Sequence, residues 1–215
     1  MNVWISMNNR NLAIFILWLF NVSACLGIYL GFKDWFIEKT TINLMLQLLL
    51  LVIIFPIRQK KEFLLFFAFF FIGFFVEVLG VKTGFPFGEY AYGENLGIKI
   101  IDVPLLIGLN WVLLAFAAGS ISNYLPQKYF IPKILLGASL MVLLDVLMEP
   151  VVAQLDFWEF ENNTAPFENY FSWFLIASLM QFLFQKMKIK GDKIFSLNLL
   201  GVQIFFFLIL NILLK

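Results

Sequence analysis

Residues 77–111 read EVLGVKTGFPFGEYAYGENLGIKIIDVPLLIGLNW, a polar and aromatic island between two apolar runs. It opens with a carboxylate, Glu77, inside one hydrophobic segment. It passes through a loop dense in Gly, aromatic and acidic residues, and closes as another hydrophobic segment begins at Val103. What lies on either side decides the fold. The 215-residue chain is 62% hydrophobic and 13% charged, where a soluble globular protein carries roughly 25% charge. The apolar residues fall in long runs that a water-soluble core does not need, so the chain reads as a polytopic membrane protein.

A helix needs roughly 20 apolar residues to cross about 30 Å of hydrocarbon. Seven segments fit, at about Leu12–Phe32, Ile42–Ile57, Phe63–Val81, Val103–Tyr124, Ile131–Pro150, Tyr170–Met187 and Ile194–Leu214. The second is short and ends at Pro56 and the basic cluster Arg58, Lys60 and Lys61. The fourth opens with Pro104 at a first-turn position, where a missing N–H costs nothing. The expected fold class is all-α: a polytopic helical bundle of about seven transmembrane helices, forming a single domain over residues 1–215. The first helix reads as an uncleaved anchor after a Met1–Arg10 lead-in, because no small-residue cleavage site follows it.

Lys and Arg set the expected orientation. With seven spans, ten of the 15 basic residues fall on the side of the N-terminus and five on the other. This predicts a cytoplasmic N-terminus, a C-terminus outside, and residence in a bacterial inner membrane. The formal net charge of +1 gives no case for nucleic acid. Cys25 stands alone and makes no internal disulfide. There is no histidine, so acid–base chemistry falls to Asp, Glu, Tyr or Lys.

Three carboxylates lie inside or at the end of apolar segments: Glu77, Asp145 and Glu149. Glu77 is near the outer end of the third segment. Asp145 and Glu149 are four apart, on one face near the outer end of the fifth. All three are expected to meet at one depth, with Asp102 joining from the start of the fourth segment and Asn110 placed to orient a water. Carboxylates in hydrocarbon are costly and mark function by default. A carboxyl group withdrawn from water beside a like charge favours its neutral, proton-donating form. The plainer alternative is that Glu77 pairs with Lys82 and that the other two are wetted at the interface. Phe85, Phe87, Tyr90, Tyr92 and Trp111 offer aromatic faces, and the Lys82–Asp102 loop that holds the first four reads as a lid or half-buried re-entrant segment. The loop after the fifth segment, Asp156–Asn169, is acidic and aromatic and faces the same side. Trp158 in it is expected to pack on Trp35 or to sit at the interface.

Several functions are disfavoured. A retinal Schiff base needs a Lys in the middle of a helix, and the last segment has none inside it. Without His, and with no regular carboxylate spacing, a metal site is a poor case. The other in-span polar residues, Asn21, Gln47, Gln181 and Gln203, are scattered singly and read as interhelical hydrogen bonds rather than a channel lining. A proton-coupled transporter would show paired halves and broken helices, and neither is visible.

The motifs resemble a known family. The Glu of EVLG (77–80), TGFPFGEYAYGENLG (83–97), VP (103–104), LNW (109–111) and LLDVLMEPVVAQLDFWEF (143–160) are similar to the carotenoid biosynthesis family of the bisanhydrobacterioruberin hydratase and carotenoid 1′,2′-hydratase type. The resemblance runs from about Glu77 to Trp173. It departs after the tryptophan of the second block, where a Gly/Pro-rich turn with a Tyr is expected and ENNTAPFENYFSW stands instead. The resemblance implies addition of water across the terminal C1′=C2′ bond of a linear carotenoid. The candidate catalytic residues suit that chemistry, with Asp145 and Glu149 dividing donor and base roles, Glu77 supporting and the aromatic faces around a cation, and it requires no redox cofactor. Partners would be the carotenoid, the bilayer and other enzymes of carotenoid biosynthesis. Cyclisation of the same end group is the alternative within the enzyme class. Which carboxylate donates and which accepts stays open.

Overall fold

A computed structural model describes residues 3–55, 57 and 59–214, with the side chains of residues 3–8 excepted. Pro56 and Arg58, assigned to the end of the second segment, and Lys215, counted for orientation, lie outside the described residues, as does the start of the lead-in. A helix stands at each of the seven expected places: α1 (Val3–Tyr29), α3 (Thr40–Ile54), α4 (Lys60–Thr83), α5 (Leu105–Ser122), α6 (Phe130–Val152), α7 (Phe167–Lys186) and α8 (Lys193–Leu213). A short extra helix, α2 (Lys33–Glu38), fills the first connection. Five helices are long and apolar enough to cross a membrane, within Asn9–Tyr29, Lys60–Thr83, Leu105–Ser122, Phe130–Leu155 and Lys193–Leu213. Thr40–Ile54 is apolar but shorter, and α7 does not reach the same apolar standard. The chain is thus an all-α integral membrane protein, and among the described residues five helices meet the length and hydropathy of a span.

α5 is the axis of the bundle. Every residue from Trp111 to Ser122 is buried, as expected of a helix that is apolar all round. Small residues let its neighbours close in. A Cβ on Gly108 would lie 2.8 Å from the Phe70 ring of α4, and one on Gly119 would lie 2.6 Å from the Phe184 ring of α7. Close approach of this kind drives helix association in lipid, where no hydrophobic force separates helix from tail. α4 shows the opposite pattern on its outer face: Phe63, Phe67, Phe71 and Phe75, four apart, are all exposed, a ladder of rings for the hydrocarbon.

The loops carry the non-helical structure. The described residues form four short strands: β1 (Tyr90–Tyr92), β2 (Lys99–Ile100), β3 (Val103–Pro104) and β4 (Trp158–Phe160). Antiparallel β1–β4 pairs Tyr90 with Phe160, Ala91 with Glu159 and Tyr92 with Trp158. The loop after α4 is therefore a strand clamped to the loop after α6, and not a re-entrant segment. Pro104 precedes α5 as its N-cap residue rather than opening its first turn. α4 stops at Gly84, whose left-handed φ of 71° lets its N–H reach the Gly80 carbonyl. After α6, a single 3₁₀ turn over Ala153–Leu155 leads to Asp156 at φ 55°. Asp156 accepts from the Glu94 N–H at 2.9 Å, and the Gly93 N–H reaches the Phe157 carbonyl at 2.9 Å. Gly93 has no room for a side chain: a Cβ would sit 2.2 Å from Asp156 Oδ1.

Candidate active site

The β1–β4 clamp closes over the ends of α4, α5, α6 and α7. Beneath it Glu77, Asp145 and Glu149 line one small cavity, together with Tyr90, Tyr92, Asn110 and Trp111. Its volume of about 20 Å³ is room for about one water. The two carboxylates of α6 reach it because a four-residue step returns to the same helix face. Glu77 arrives from the last turns of α4.

Each carboxylate has a different set of partners. Glu77 is 3% exposed and its two oxygens accept three hydrogen bonds. Tyr90 Oη donates to Oε2 at 2.5 Å, Tyr92 Oη donates to the same oxygen at 2.7 Å, and Trp111 Nε1 donates to Oε1 at 2.9 Å. Three donors aimed at one carboxylate suit an anion, which only accepts. Burial, and then the adjacent Glu77 charge, push both phenols well above the usual tyrosine range, so they stay protonated donors. Asp145 is 1% exposed. Its Oδ2 accepts from Asn169 Nδ2 at 2.9 Å, while its buried Oδ1 has no protein partner. Glu149 is half-buried and Oε1 accepts from Trp158 Nε1 at 3.1 Å. The three groups thus comprise a saturated acceptor, a buried carboxyl with one uncommitted oxygen, and a carboxyl near the rim.

The sequence-predicted residues divide by position. Glu77, Asp145, Glu149, Phe87, Tyr90, Tyr92, Asn110 and Trp111 all line the cavity. Phe85 and Asp102 do not. Phe85 is 69% exposed at the outer surface, because the turn between Gly84 and Gly88 reverses the chain and sends only Phe87 inward. Asp102 pairs with Lys82 at the surface, and that contact holds its carboxyl below the usual range. Lys82 is consequently committed to Asp102, not to Glu77. Trp158 packs edge-on to Tyr92, with ring centres 6.2 Å apart, while Trp35 packs on Phe36.

Asn169 and Trp173 were not singled out by the sequence reading. Asn169 holds Asp145, and the Trp173 ring stacks on Trp111 at 3.8 Å and 16°. They are four apart on α7, and that spacing of a buried amide and an indole is the signal that could have found them. Among the described residues, no group of three or more His, Cys, Asp or Glu side chains is set to hold a metal ion.

Beside this cavity runs a larger one. An apolar groove of about 600 Å³ lies between α1, α2, α3, α5, α6 and α8. Ile107, Asn110, Met148 and Trp158 line both spaces, so the groove abuts the carboxylates. Its size matches that of small-molecule sites, which are mostly apolar with a few converging polar groups.

Comparison with known proteins gives the family. A family model described as Carotenoid biosynthesis protein matches residues 39–215. The chain is 27% identical over 172 residues to the bisanhydrobacterioruberin hydratase of Haloarcula japonica, an alignment covering 72% of this chain and 55% of that protein. The chain therefore spans little more than half of that relative's length. No solved structure matches. Because the family match takes in most of the chain, including every residue of the carboxylate cavity, the protein belongs to the carotenoid biosynthesis protein family.

Proposed function

We propose that this protein hydrates the terminal C1′=C2′ double bond of a linear carotenoid. The observation that carries the reading is the shared wall of the two spaces. A long apolar groove meets a water-sized cavity lined by three carboxyl groups at Ile107, Asn110, Met148 and Trp158. A polyene lying in the groove presents its end group there.

Asp145, with its uncommitted buried Oδ1, protonates C2′ as the π electrons of the double bond take that proton. The tertiary cation left at C1′ faces the Trp111, Tyr90 and Tyr92 rings and the fixed negative charge of Glu77. Aromatic faces and a buried anion both favour positive charge, and they favour it only once it has formed. Water in the cavity adds to C1′ through oxygen, and Glu149 takes the proton it sheds. Transfer from Glu149 back to Asp145 restores the site, so the sum is one water added and no electron gained or lost. No redox cofactor enters this scheme. The Haloarcula japonica relative carries the name of a hydratase, which supports the same class of reaction. Room for about one water favours capture over ring closure.

The proposal extends to topology. α3 and α7 complete seven crossings, which puts the N-terminus and the C-terminus on opposite faces. The basic residues favour a cytoplasmic N-terminus, with the clamp and carboxylates at the outer face of a bacterial inner membrane. The test is expression in a host that accumulates lycopene or γ-carotene, followed by mass analysis of the pigments. A new 1′-hydroxylated product, heavier by one water, is expected. A cyclised product of unchanged mass would replace hydration with cyclisation, and no new pigment despite good expression would overturn the reading.

A further inference from the structure

The apolar groove opens on the side of α1, α2 and α3. The exposed residues of its lining are Leu19, Phe20 and Ser23 of α1, Trp35 of α2 and Ile42 of α3. The lining residues from α5, α6 and α8 are buried or half-buried. Leu19 and Ser23 are four apart and share one face of α1, so they form one lip of the opening, with Ile42 on the other.

The two ends of the groove are closed by hydrogen bonds. At the clamp end, Thr41 Oγ1 donates to the Asn95 carbonyl at 2.7 Å, and Asn95 Nδ2 donates to the Leu155 carbonyl at 2.9 Å. These bonds hold the loop after β1 across the groove, and Leu96 of that loop lines the space while only 2% exposed. At the opposite end, Gln203 Nε2 of α8 donates to Gln47 Oε1 of α3 at 2.8 Å. Gln47 is the last α3 residue of the lining, so this bond makes a floor. The lips themselves are tied more loosely: Asn43 Nδ2 of α3 donates to Asn21 Oδ1 of α1 at 3.2 Å, the long end of the hydrogen-bond range.

Length decides what the opening is for. From Thr40 to Gln47 the groove follows α3 for seven steps, about 10 Å of helix rise. A linear carotenoid is comparable in length to the hydrocarbon core of a bilayer, about 30 Å. The groove therefore holds one end of such a chain, and the remainder leaves through the open side. That remainder is apolar and favours lipid over water. The level of the opening agrees. Lys39 Nζ lies 5.6 Å from the Trp35 ring centre, and Lys and Trp are residue types of the membrane–water boundary. Ile42 lies three residues beyond Lys39, about one helical turn further from that boundary.

We infer that the seam between α1 and α3 is a lateral portal, through which the end of a linear polyene enters from the lipid while the rest of the chain stays in the bilayer. The inference rests on the groove being the substrate site of the proposed hydratase, and it concerns access, not the hydration step. It makes the clamp a roof that shuts out bulk water, and it leaves the lipid as the route in.

A nitroxide spin label on the lips tests the portal without any turnover. Ser23→Cys and Ile42→Cys are labelled separately in the full chain and placed in phospholipid vesicles. Leu26→Cys is the comparison, since Leu26 is exposed on α1 but outside the groove's lining. Labels at Ser23 and Ile42 are expected to be relaxed by dissolved oxygen, which partitions into hydrocarbon, and not by a water-soluble nickel chelate. Adding a linear polyene is expected to remove the mobile component of their spectra and to leave the Leu26 spectrum unchanged. Strong relaxation by the nickel chelate at the lips would overturn the portal, because the mouth would then face water. No response to the polyene, or an equal response at Leu26, would overturn it as well, the groove then being closed or filled by an acyl chain. Immobilised lips in a protein that forms no hydrated product would keep the portal and remove the hydratase. Hydrated product without any response at the lips would do the reverse.

Discussion

Asp145→Asn removes the transferable proton with almost no change in shape. The Asn169 contact survives by turning the new amide, so the variant should insert and fold normally. Its hydration rate should fall by at least about 100-fold, the lower range for loss of a general acid, read from product formed per unit of folded protein. Tyr90 and Tyr92 make a second prediction at the same scale. Their phenols are held neutral by burial and by Glu77, so folding opposes their ionisation. The sign follows: the stability they contribute is present below the ordinary tyrosine range near pH 10 and declines as pH rises above it. In an ultraviolet titration of the folded protein, Tyr90 and Tyr92 should be among the tyrosines that stay un-ionised past the ordinary range, and they should ionise only on unfolding. All six tyrosines titrating near pH 10 would contradict the Glu77 network. The carboxylates were legible from sequence because charge in a span is costly enough to stand out. Their partners Asn169 and Trp173 were not, since Asn and Trp near a helix start are ordinary at a membrane interface. Phe85 and Phe87 look equivalent in sequence, and only the Gly84–Gly88 turn separates surface from site.

At the scale of the helices, the site depends on how closely α4 meets α5. Gly73 faces the Trp111 indole, and a Cβ there would lie 2.4 Å from its Cγ. Gly73→Val should push Trp111 off Trp173 and away from Glu77. The cost is that of overpacking, roughly 1–3 kcal/mol, read as a lower thermal midpoint in detergent. The near-ultraviolet circular dichroism of the stacked indoles should weaken with it. Hydrophobic runs placed the helices to within about three residues, because periodicity and length are local properties, except that α1 begins at Val3, nine residues before the expected Leu12 and inside the expected lead-in. The β1–β4 clamp was illegible for the converse reason. Three residues of strand carry little pattern, and their partners lie far along the chain. The amides showed the same limit. Asn43 and Gln47 share a face in sequence, but Asn21 and Gln203 bond to them only because α1 packs against both α3 and α8.

The whole molecule is a bundle around α5 with the carboxylate cavity at one end, beneath the clamp, and an apolar groove beside it. Its topology is testable with one label. Cys25 is buried, so background labelling should be low. Asn163 lies exposed in the loop after β4. Asn163→Cys should react with a membrane-impermeant maleimide added to intact spheroplasts. Reaction only after permeabilisation would reverse the orientation and put the carboxylates at the cytoplasmic face. The central claim is that a water in the carboxylate cavity adds to the end of a polyene lying in the groove. Its most direct test is to incubate membranes holding the wild type or Asp145→Asn with a linear carotenoid in heavy-oxygen water. The account predicts a product from the wild type with one heavy oxygen at C1′ and almost none from the variant. A product of unchanged mass, an oxygen not drawn from water, or full conversion by Asp145→Asn would contradict it.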